Sequence, residues 1–593
     1  MIGVNKVFFE RVLMNLALFV LGRWGITVSA SILLSQPVIA AAMTTQLSQG
    51  VLQQGRGNAA TAAEKALREG LQLYQQGTAE SKRQAISKFE ETLKQYRETG
   101  DNKGQAFSLL ALGKIYSELG EKQKALEFYS QSLPLSRAVG DRTGEAVTLN
   151  NIGLVYSDLG ENQKALEYYS QSLPLFRAVG DRSLEATTLN NIGNVYSDLG
   201  ENQKAREYYS QSLSLFQAVG DRRGEAATLN SIGNVYSVLG EKQKAQEYYS
   251  QSLPLFRAVG DRRGEATTLN NIGLVYSALG EKQKAQEYYS QSLPLFRAVG
   301  DRSGEAATLA NIGLVYSALG ENQKALEYYS QSLPLFQAVS DRTLEARTLN
   351  NIGGVYSDLG EKQKALEYYS QSLPLSRAVG DQSQEATTLN NIGLVYSELR
   401  EKQKALQYYS QSLPLSRAMG DRSQEAHTLN NIGLVYSELG KNQKALEYYS
   451  QSLPLSRAVG DLRGEAVTLA SIGAVYSELG DNQKALEYYS QSLPLFRAVG
   501  DRSQEAVTLS NIAAAKRDQG NLTEALTNIE TALKIIEDLR TKISSPELRT
   551  SYFASVQNYY QFYIDSLMQL HKTNPKSGYD TKAFEASERL KNR

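Results

Sequence analysis

A block of forty residues recurs along this chain almost letter for letter. Its boundaries carry Gly-Asp or a close variant at Gly100, Gly140, Gly180, Gly220, Gly260, Gly300, Ser340, Gly380, Gly420, Gly460 and Gly500. A fixed period in this range means that each copy is one supersecondary unit, stacked on its neighbours to bury a continuous core. The 593 residues therefore read as one long, quasi-one-dimensional domain rather than as several globular ones. Function is expected on the surfaces of that array.

Within the copy at 141–180, Leu149, Ile152, Gly153 and Tyr156 follow the i, i+3, i+4, i+7 spacing of an amphipathic helix, which predicts a helix A from about Thr143 to Asp158. Leu159-Gly160 stops it, because glycine tolerates the left-handed conformation of a helix end. A helix B is predicted to begin near Glu161, whose charge suits the positive end of the helix dipole. Ala165, Tyr169, Ser172, Leu173 and Phe176 continue its apolar stripe. Pro174 lies inside helix B and recurs as Pro134, Pro254, Pro294, Pro334, Pro374, Pro414, Pro454 and Pro494, with Ser214 interrupting the series. Proline donates no backbone hydrogen bond and crowds the preceding turn, so a bend near Ser170 is expected. Asp181, after Gly180, is placed to cap the next helix A.

Lys plus Arg and Asp plus Glu are equal at 63 each, so the chain has no basic field to draw it to nucleic acid. It contains no cysteine, which rules out disulfides, thiolate metal sites and a cysteine nucleophile in these residues, and its two histidines are His427 and His571. No Gly-rich phosphate loop, paired-carboxylate signature or metal-ligand spacing is present, so no catalytic residue, metal or cofactor is expected. Residues 1–42 differ in kind: Lys6, Arg11 and Arg23 precede an apolar run from Trp24, and Val38-Ile39-Ala40 and Ala40-Ala41-Ala42 offer small-residue cleavage sites. That order reads as a secretory signal, with an uncleaved membrane anchor as the alternative, and it predicts a periplasmic or extracellular location or attachment to a membrane by this segment alone. Residues 43–60 read as a flexible linker.

The order Leu149, Ile152-Gly153, Tyr156, Gly160, Ala165, Tyr169, Ser172-Leu173 resembles the tetratricopeptide repeat. The resemblance implies an all-α, right-handed superhelical solenoid of antiparallel helix pairs, with small residues at Gly153 and Ala165 letting the two helices pack closely. The unit is longer than the usual length of about 34 residues. In that length, in its GDR link and in its LNNIG segment it is similar to the long repeats of kinesin light chains and of adaptors with Leu-Gly-Asn repeats. Ten clear units span 101–500, and degenerate units at 61–100 and 501–540 cap them, making about twelve. Beyond Thr541 the composition changes. Tyr552, Phe553, Tyr559, Tyr560, Phe562 and Tyr563 predict an aromatic helix closing the stack, and 541–593 is read as this capping helix plus the start of a truncated downstream region. The segment YFASVQNYYQFYIDSLMQLHKTNPKSGYD, with AFEASERLKNR after it, resembles the junction that leads into a CHAT domain in cyanobacterial proteins. That resemblance implies a caspase-like protease whose catalytic half is not in these residues, and it gives an alternative function, the sensor or regulatory arm of such a protease.

On a wheel of about 100° per residue, Val147, Asn151, Leu154 and Asp158 lie opposite the Leu149, Ile152, Gly153, Tyr156 face. In the family resemblance these positions line a concave groove. Asn151 recurs as Asn191, Asn271, Asn311, Asn351, Asn391 and Asn431, with Ser231 and Ser471 as polar substitutes. A carboxamide both donates and accepts, so such a ladder can pair with the main chain of an extended peptide. Beside it Leu154, Leu274, Leu314, Leu394 and Leu434 form an apolar strip in which Asn194 and Asn234 take two places; burial by neighbouring repeats is the alternative reading of this strip. Arg347 and His427 interrupt otherwise small or apolar residues, and Glu398, Glu438 and Glu478 give later copies an acidic edge. The function expected is therefore a non-catalytic scaffold, monomeric, whose partner is a protein or extended peptide held in the groove.

Overall fold

A computed structural model of the protein describes residues 58–541 and 546–591, with side chains over 62–541 and 556–590. The expected leader at 1–42 and most of the expected linker at 43–60 lie outside the described residues, and the chain is helical from Asn58. Twenty-six helices run from Asn58–Gln75 to Tyr579–Lys591, and there is no strand among the described residues. No helix among them is long and apolar enough to cross a membrane. The chain falls into two compact units, one ending at Val315 and the other beginning at Tyr316. Within each unit the same helix pair repeats.

In the copy at 141–180, helix A is Arg142–Asp158 and helix B is Asn162–Val179. Every A-to-B and B-to-A link is a three- or two-residue turn closed by a left-handed residue, such as Gly160 at φ 74° and Gly180 at φ 73°. Only glycine adopts that conformation without Cβ strain, and among the described residues the turns at Ser340 (φ 57°) and Arg400 (φ 64°) are the two places where another residue does so. The aspartate after each B-to-A turn caps the next helix A as expected: Asp181 Oδ1 accepts from the Leu184 amide at 3.0 Å. Glu161 stands at the start of helix B but makes no side-chain cap bond. Helix B runs unbroken through Pro174. Where Ser214 replaces the proline, its hydroxyl donates to the Ser210 carbonyl at 2.9 Å, the acceptor that a proline at this place leaves without an amide donor.

Close packing of A on B follows from one pairing. Gly153 faces the ring of Tyr169, and a Cβ on that glycine would fall 2.8 Å from Tyr169 Cε1. The same pairing recurs at Gly113–Tyr129, Gly193–Tyr209, Gly233–Tyr249, Gly273–Tyr289, Gly353–Tyr369, Gly393–Tyr409, Gly433–Tyr449 and Gly473–Tyr489. The Ser172 hydroxyl completes the pair by donating to the Ala146 carbonyl at 2.8 Å. Copies are tied in series by ion pairs across the B-to-A turn, such as Arg177 to Glu185 at 2.7 Å. At the C-terminal end, helix Pro546–Thr573 packs on helix Leu522–Thr541: Tyr563 donates to Glu530 at 3.0 Å, Tyr560 to Glu537, and the Arg517 guanidinium lies 4.2 Å from the Phe562 ring centre. The aromatic segment is thus a helix packed on the last repeat, and helix Tyr579–Lys591 packs on it in turn.

Candidate functional site

The structure places the predicted groove residues in two environments. Asn151 is 1% exposed, Asn191, Asn271, Asn311 and Asn391 are buried with it, and Asn351 and Asn431 are half-buried. The open asparagine ladder expected from the sequence is instead an internal seam. Asn311 Nδ2 donates to Asn270 Oδ1, Asn391 Nδ2 to Asn350 Oδ1 and Asn431 Nδ2 to Asn390 Oδ1, each at 3.2 Å, while Asn191 and Asn271 approach Asn150 and Asn230 at 3.5 Å. These five asparagines face the preceding copy, whereas both polar atoms of the Asn151 side chain are buried without a hydrogen-bond partner. A wheel drawn for one helix splits it into an inner and an outer half, but helix A in an array packs against its own helix B, the preceding helix B and the neighbouring helices A. Only a narrow strip remains open.

That strip is centred on the position of Leu154. Leu154, Asn194, Asn234, Leu274, Leu314 and Leu394 are half-buried, whereas Leu434 is covered, at 9% exposure. Asn194 Oδ1 accepts from the Tyr209 hydroxyl at 2.7 Å, and Asn234 Oδ1 accepts from Tyr249 at 2.7 Å and from Asn271 Nδ2 at 3.1 Å. Both amides are therefore anchored by their carbonyl oxygens. Where leucine takes this position, the hydroxyls of Tyr169, Tyr289 and Tyr329 are buried without a hydrogen-bond partner, and burial pushes these phenols up. In the first clear copy the position holds Lys114, which is buried and paired with Glu118 at 3.2 Å. Burial pulls its ammonium down while Glu118 pulls it back up.

Two turns away, the position of Val147 is covered from Val147 to Ala307 and half-open from Arg347 onward. Val147, Thr187, Ala227, Thr267 and Ala307 are buried; Arg347, Thr387 and His427 are half-buried. Arg347 and His427 do not reach outward freely, since each pairs at 3.0 Å with the capping aspartate of the next copy, Asp381 and Asp461. At the position of Asp158, Glu398 and Glu438 are met by Lys362 and Lys402 of the preceding copy, so the acidic edge is partly neutralised. Among the described residues no group of histidine, aspartate and glutamate is arranged to hold a metal ion.

A feature that sequence reasoning missed runs along the A-to-B edge. The rings of Tyr156 and Tyr168 stack at 5.5 Å between centroids and 14°, and Lys164 Nζ lies 5.0 Å from the Tyr156 centroid; the arrangement repeats through Tyr476, Tyr488 and Lys484. Its signal was the invariance of these three residues in nearly every copy, with Phe128 the one departure among the ring pairs.

One family model, described as tetratricopeptide repeat, matches residues 79–138, 125–178, 144–218, 184–258, 224–298, 264–338, 304–378, 344–418 and 424–498, and a second of the same description matches 506–539. The chain belongs to the tetratricopeptide repeat family. Solved structures similar to this tetratricopeptide repeat chain include BtubC from P. vanneervenii, at 20% identity over 37% of this chain and 92% of that one with a TM-score of 0.34. The apo quorum sensor NprR from B. thuringiensis aligns at 16% identity over 60% of this chain and 97% of its own, with a TM-score of 0.44. Cut9–Hcn1 of the APC/C aligns at 15% identity over 90% and 99%, with a TM-score of 0.36. No curated protein matches the chain. The family matches stop at residue 539, and the likeness of the last segment to a CHAT junction is carried by the sequence alone.

Differences between the tetratricopeptide copies are not scattered. On helix B, Lys164, Ser170 and Gln171 are exposed or half-exposed, yet the same three residues stand in all ten clear copies. Along the strip of helix A the sequence changes from copy to copy: Leu154, Asn194, Asn234, Leu274, Leu314, Gly354, Leu394, Leu434, Ala474.

Proposed function

We propose that this tetratricopeptide repeat chain is a non-catalytic scaffold that holds an extended peptide or protein segment along the strip of helix A centred on Leu154, Asn194, Asn234 and Leu274. The observation that carries the reading is the contrast between the two faces. A row of identical side chains offers a ligand the same energy after a shift of one repeat, so it cannot fix register; a row that varies can. The outer face of helix B is such an identical row, and the strip on helix A is the varying one. Its leucines supply apolar contact, and its two tyrosine-anchored amides supply polar contact at adjacent copies.

A library of random linear peptides panned on the full chain tests this. Exchanging the pattern, with Leu154→Asn, Asn194→Leu, Asn234→Leu and Leu274→Asn together, uses only residues the chain already tolerates at this position. Enriched peptides are expected to lose about tenfold or more in affinity for the exchanged variant while circular dichroism stays helical. Peptides that bind both forms equally would remove the strip as the site. The basic, apolar and small order of residues 1–42 supports a further proposal, that the scaffold is exported or held at a membrane by that segment. Fractionation followed by N-terminal sequencing decides between cleavage and retention.

A further inference from the structure

The start of helix B holds a second difference between copies. Lys362 Nζ donates to the carbonyl and hydroxyl oxygens of Ser357 at 2.9 and 3.1 Å, and also meets Glu398 of the next copy. Lys402 repeats this with Ser397, at 3.0 and 3.4 Å, and Glu438. Lys122 pairs with Asp158 in the same way, so an aspartate is long enough to serve. Lys242 and Lys282 keep the serine contact, to the Ser237 and Ser277 carbonyls at 2.7 and 2.9 Å, and at Lys242 this holds even though Ala278 stands where the acid would be. The junction between copies is thus built around an ammonium group, with a serine carbonyl and hydroxyl on one side and a carboxylate of the next copy on the other.

Elsewhere the serine and the acid are kept and asparagine replaces the lysine. Asn162 stands between Ser157 and Asp198, Asn322 between Ser317 and Asp358, Asn442 between Ser437 and Glu478, and Asn482 between Ser477 and Asp518. The Oδ1 atoms of all four asparagines are buried and have no hydrogen-bond partner. The first two junctions, one in each unit, add a carboxyl that solvent reaches, exposed at Asp198 and half-buried at Asp358. The neighbours that cover part of Asp198 push it up. Burial pushes Asp358 up to about 7, with Lys362 of its own copy pulling it down and Glu398 pushing it further up. Oxygen acceptors therefore gather where the sister copies place three N–H donors on one compact cation.

We infer that the Asn162–Asp198 and Asn322–Asp358 junctions are acceptor sites for lysine side chains of the bound segment, each partner ammonium taking the place that Lys362 and Lys402 fill within this chain. The ligand is then an extended, lysine-bearing peptide. Lysine is favoured over arginine because the chain's own occupant is an ammonium that divides its protons among a carbonyl, a hydroxyl and a carboxylate, whereas a planar guanidinium directs its donors as a fork. The inference rests on the reading of helix A as the ligand-holding strip, and it assigns that ligand a charge chemistry.

Fluorescently labelled pentalysine, with its Nε-acetylated form as the control, is the probe, and anisotropy on the full chain is the readout. Wild-type protein is expected to bind pentalysine and not the acetylated peptide. Asn162→Lys with Asn322→Lys supplies the ammonium from the chain itself and should weaken binding about tenfold. These changes copy pairs already present at Lys122–Asp158 and Lys362–Glu398, so the variant should fold, as circular dichroism would check. Gln171→Lys with Gln331→Lys adds the same charge on the outer face of helix B and should leave binding unchanged. Failure of wild-type protein to bind pentalysine, equal binding of the acetylated peptide, or indifference to Asn162→Lys and Asn322→Lys would each overturn the inference. In all three cases the response of library-selected peptides to the Leu154 to Leu274 exchange still decides the reading of the strip.

Discussion

The pairing of a helix A glycine with a helix B tyrosine sets how closely the two helices approach, and one substitution there should expose its energetics. A methyl group on Gly273 would lie 2.5 Å from Tyr289 Cε1 and 2.8 Å from Cδ1, and the ring is fully buried, at 0% exposure. It has nowhere to swing. Overpacking of this kind costs about 1–3 kcal/mol, and alanine recovers about 1 kcal/mol over glycine as a helix former. Gly273→Ala should therefore destabilise its copy by a net of up to about 2 kcal/mol. Tyr289→Ile alone trades a buried ring for a smaller side chain and should cost about 2–3 kcal/mol through the cavity it leaves. The terminal repeat shows both changes made together: Ala513 and Ile529 occupy these two positions and are both fully buried. The double variant should accordingly cost at least about 1 kcal/mol less than the sum of the singles, because the methyl enters the space the ring vacates. The assay is urea unfolding of the full chain followed by circular dichroism and fitted with a nearest-neighbour repeat model, since one two-state midpoint does not describe a long array. Additive costs within about 0.5 kcal/mol, or a Gly273→Ala variant more stable than wild type, would refute the account of the pairing.

Tyrosine hydroxyls give a comparison within one molecule. Tyr209→Phe and Tyr249→Phe should each cost about 1 kcal/mol, because Asn194 and Asn234 lose a donor, whereas Tyr169→Phe and Tyr289→Phe remove unpartnered hydroxyls and should be neutral or stabilising in the same unfolding assay. Ser340→Gly should raise stability by about 1 kcal/mol, since Ser340 holds φ 57° where the equivalent turns use glycine; a neutral result in thermal unfolding would mean that its hydroxyl offsets the strain. Asp358 supplies a pH dependence. Its carboxyl is raised to about 7 by burial, Lys362 and Glu398 act on it, and the buried Tyr369 lies beside it. The folded state then holds a proton that the unfolded state has lost between about pH 4 and pH 7, so this group's contribution falls as pH rises through that window. Asp358→Asn should be worth about 2 kcal/mol more at pH 8 than at pH 4, and parallel stability profiles would contradict it. Deleting 221–260 as a unit should leave a shorter helical stack, because it sets Asn271 against Asn190 in place of Asn230, and loss of helicity would deny that the copies are modular.

Periodicity carried the fold because every device that defines one copy is local. The Gly160 turn, the Asp181 cap and the Gly153–Tyr169 contact all join residues within about twenty positions of one another, and each recurs with the forty-residue register. What the sequence did not display is the burial of position 151, because that depends on how one helix A lies against the next. The signal was present in a different form. Asn150 and Asn151 stand side by side in most copies, and the structure uses them as a pair: the first accepts from the following copy and the second donates to the preceding one, as in Asn350 to Asn391 and Asn390 to Asn431. A lone exposed ladder would need one asparagine per copy, whereas a seam between identical units needs an acceptor and a donor in every unit. Two adjacent carboxamides per period therefore specify contact between copies. The same logic makes the asparagines at 162 and 322 informative, since a seam that is closed from within at Lys362 and Lys402 lacks its own ammonium there. In an array of near-identical copies, the residues that complete a neighbour describe the fold, and the positions where that completion is withheld are where a partner can enter.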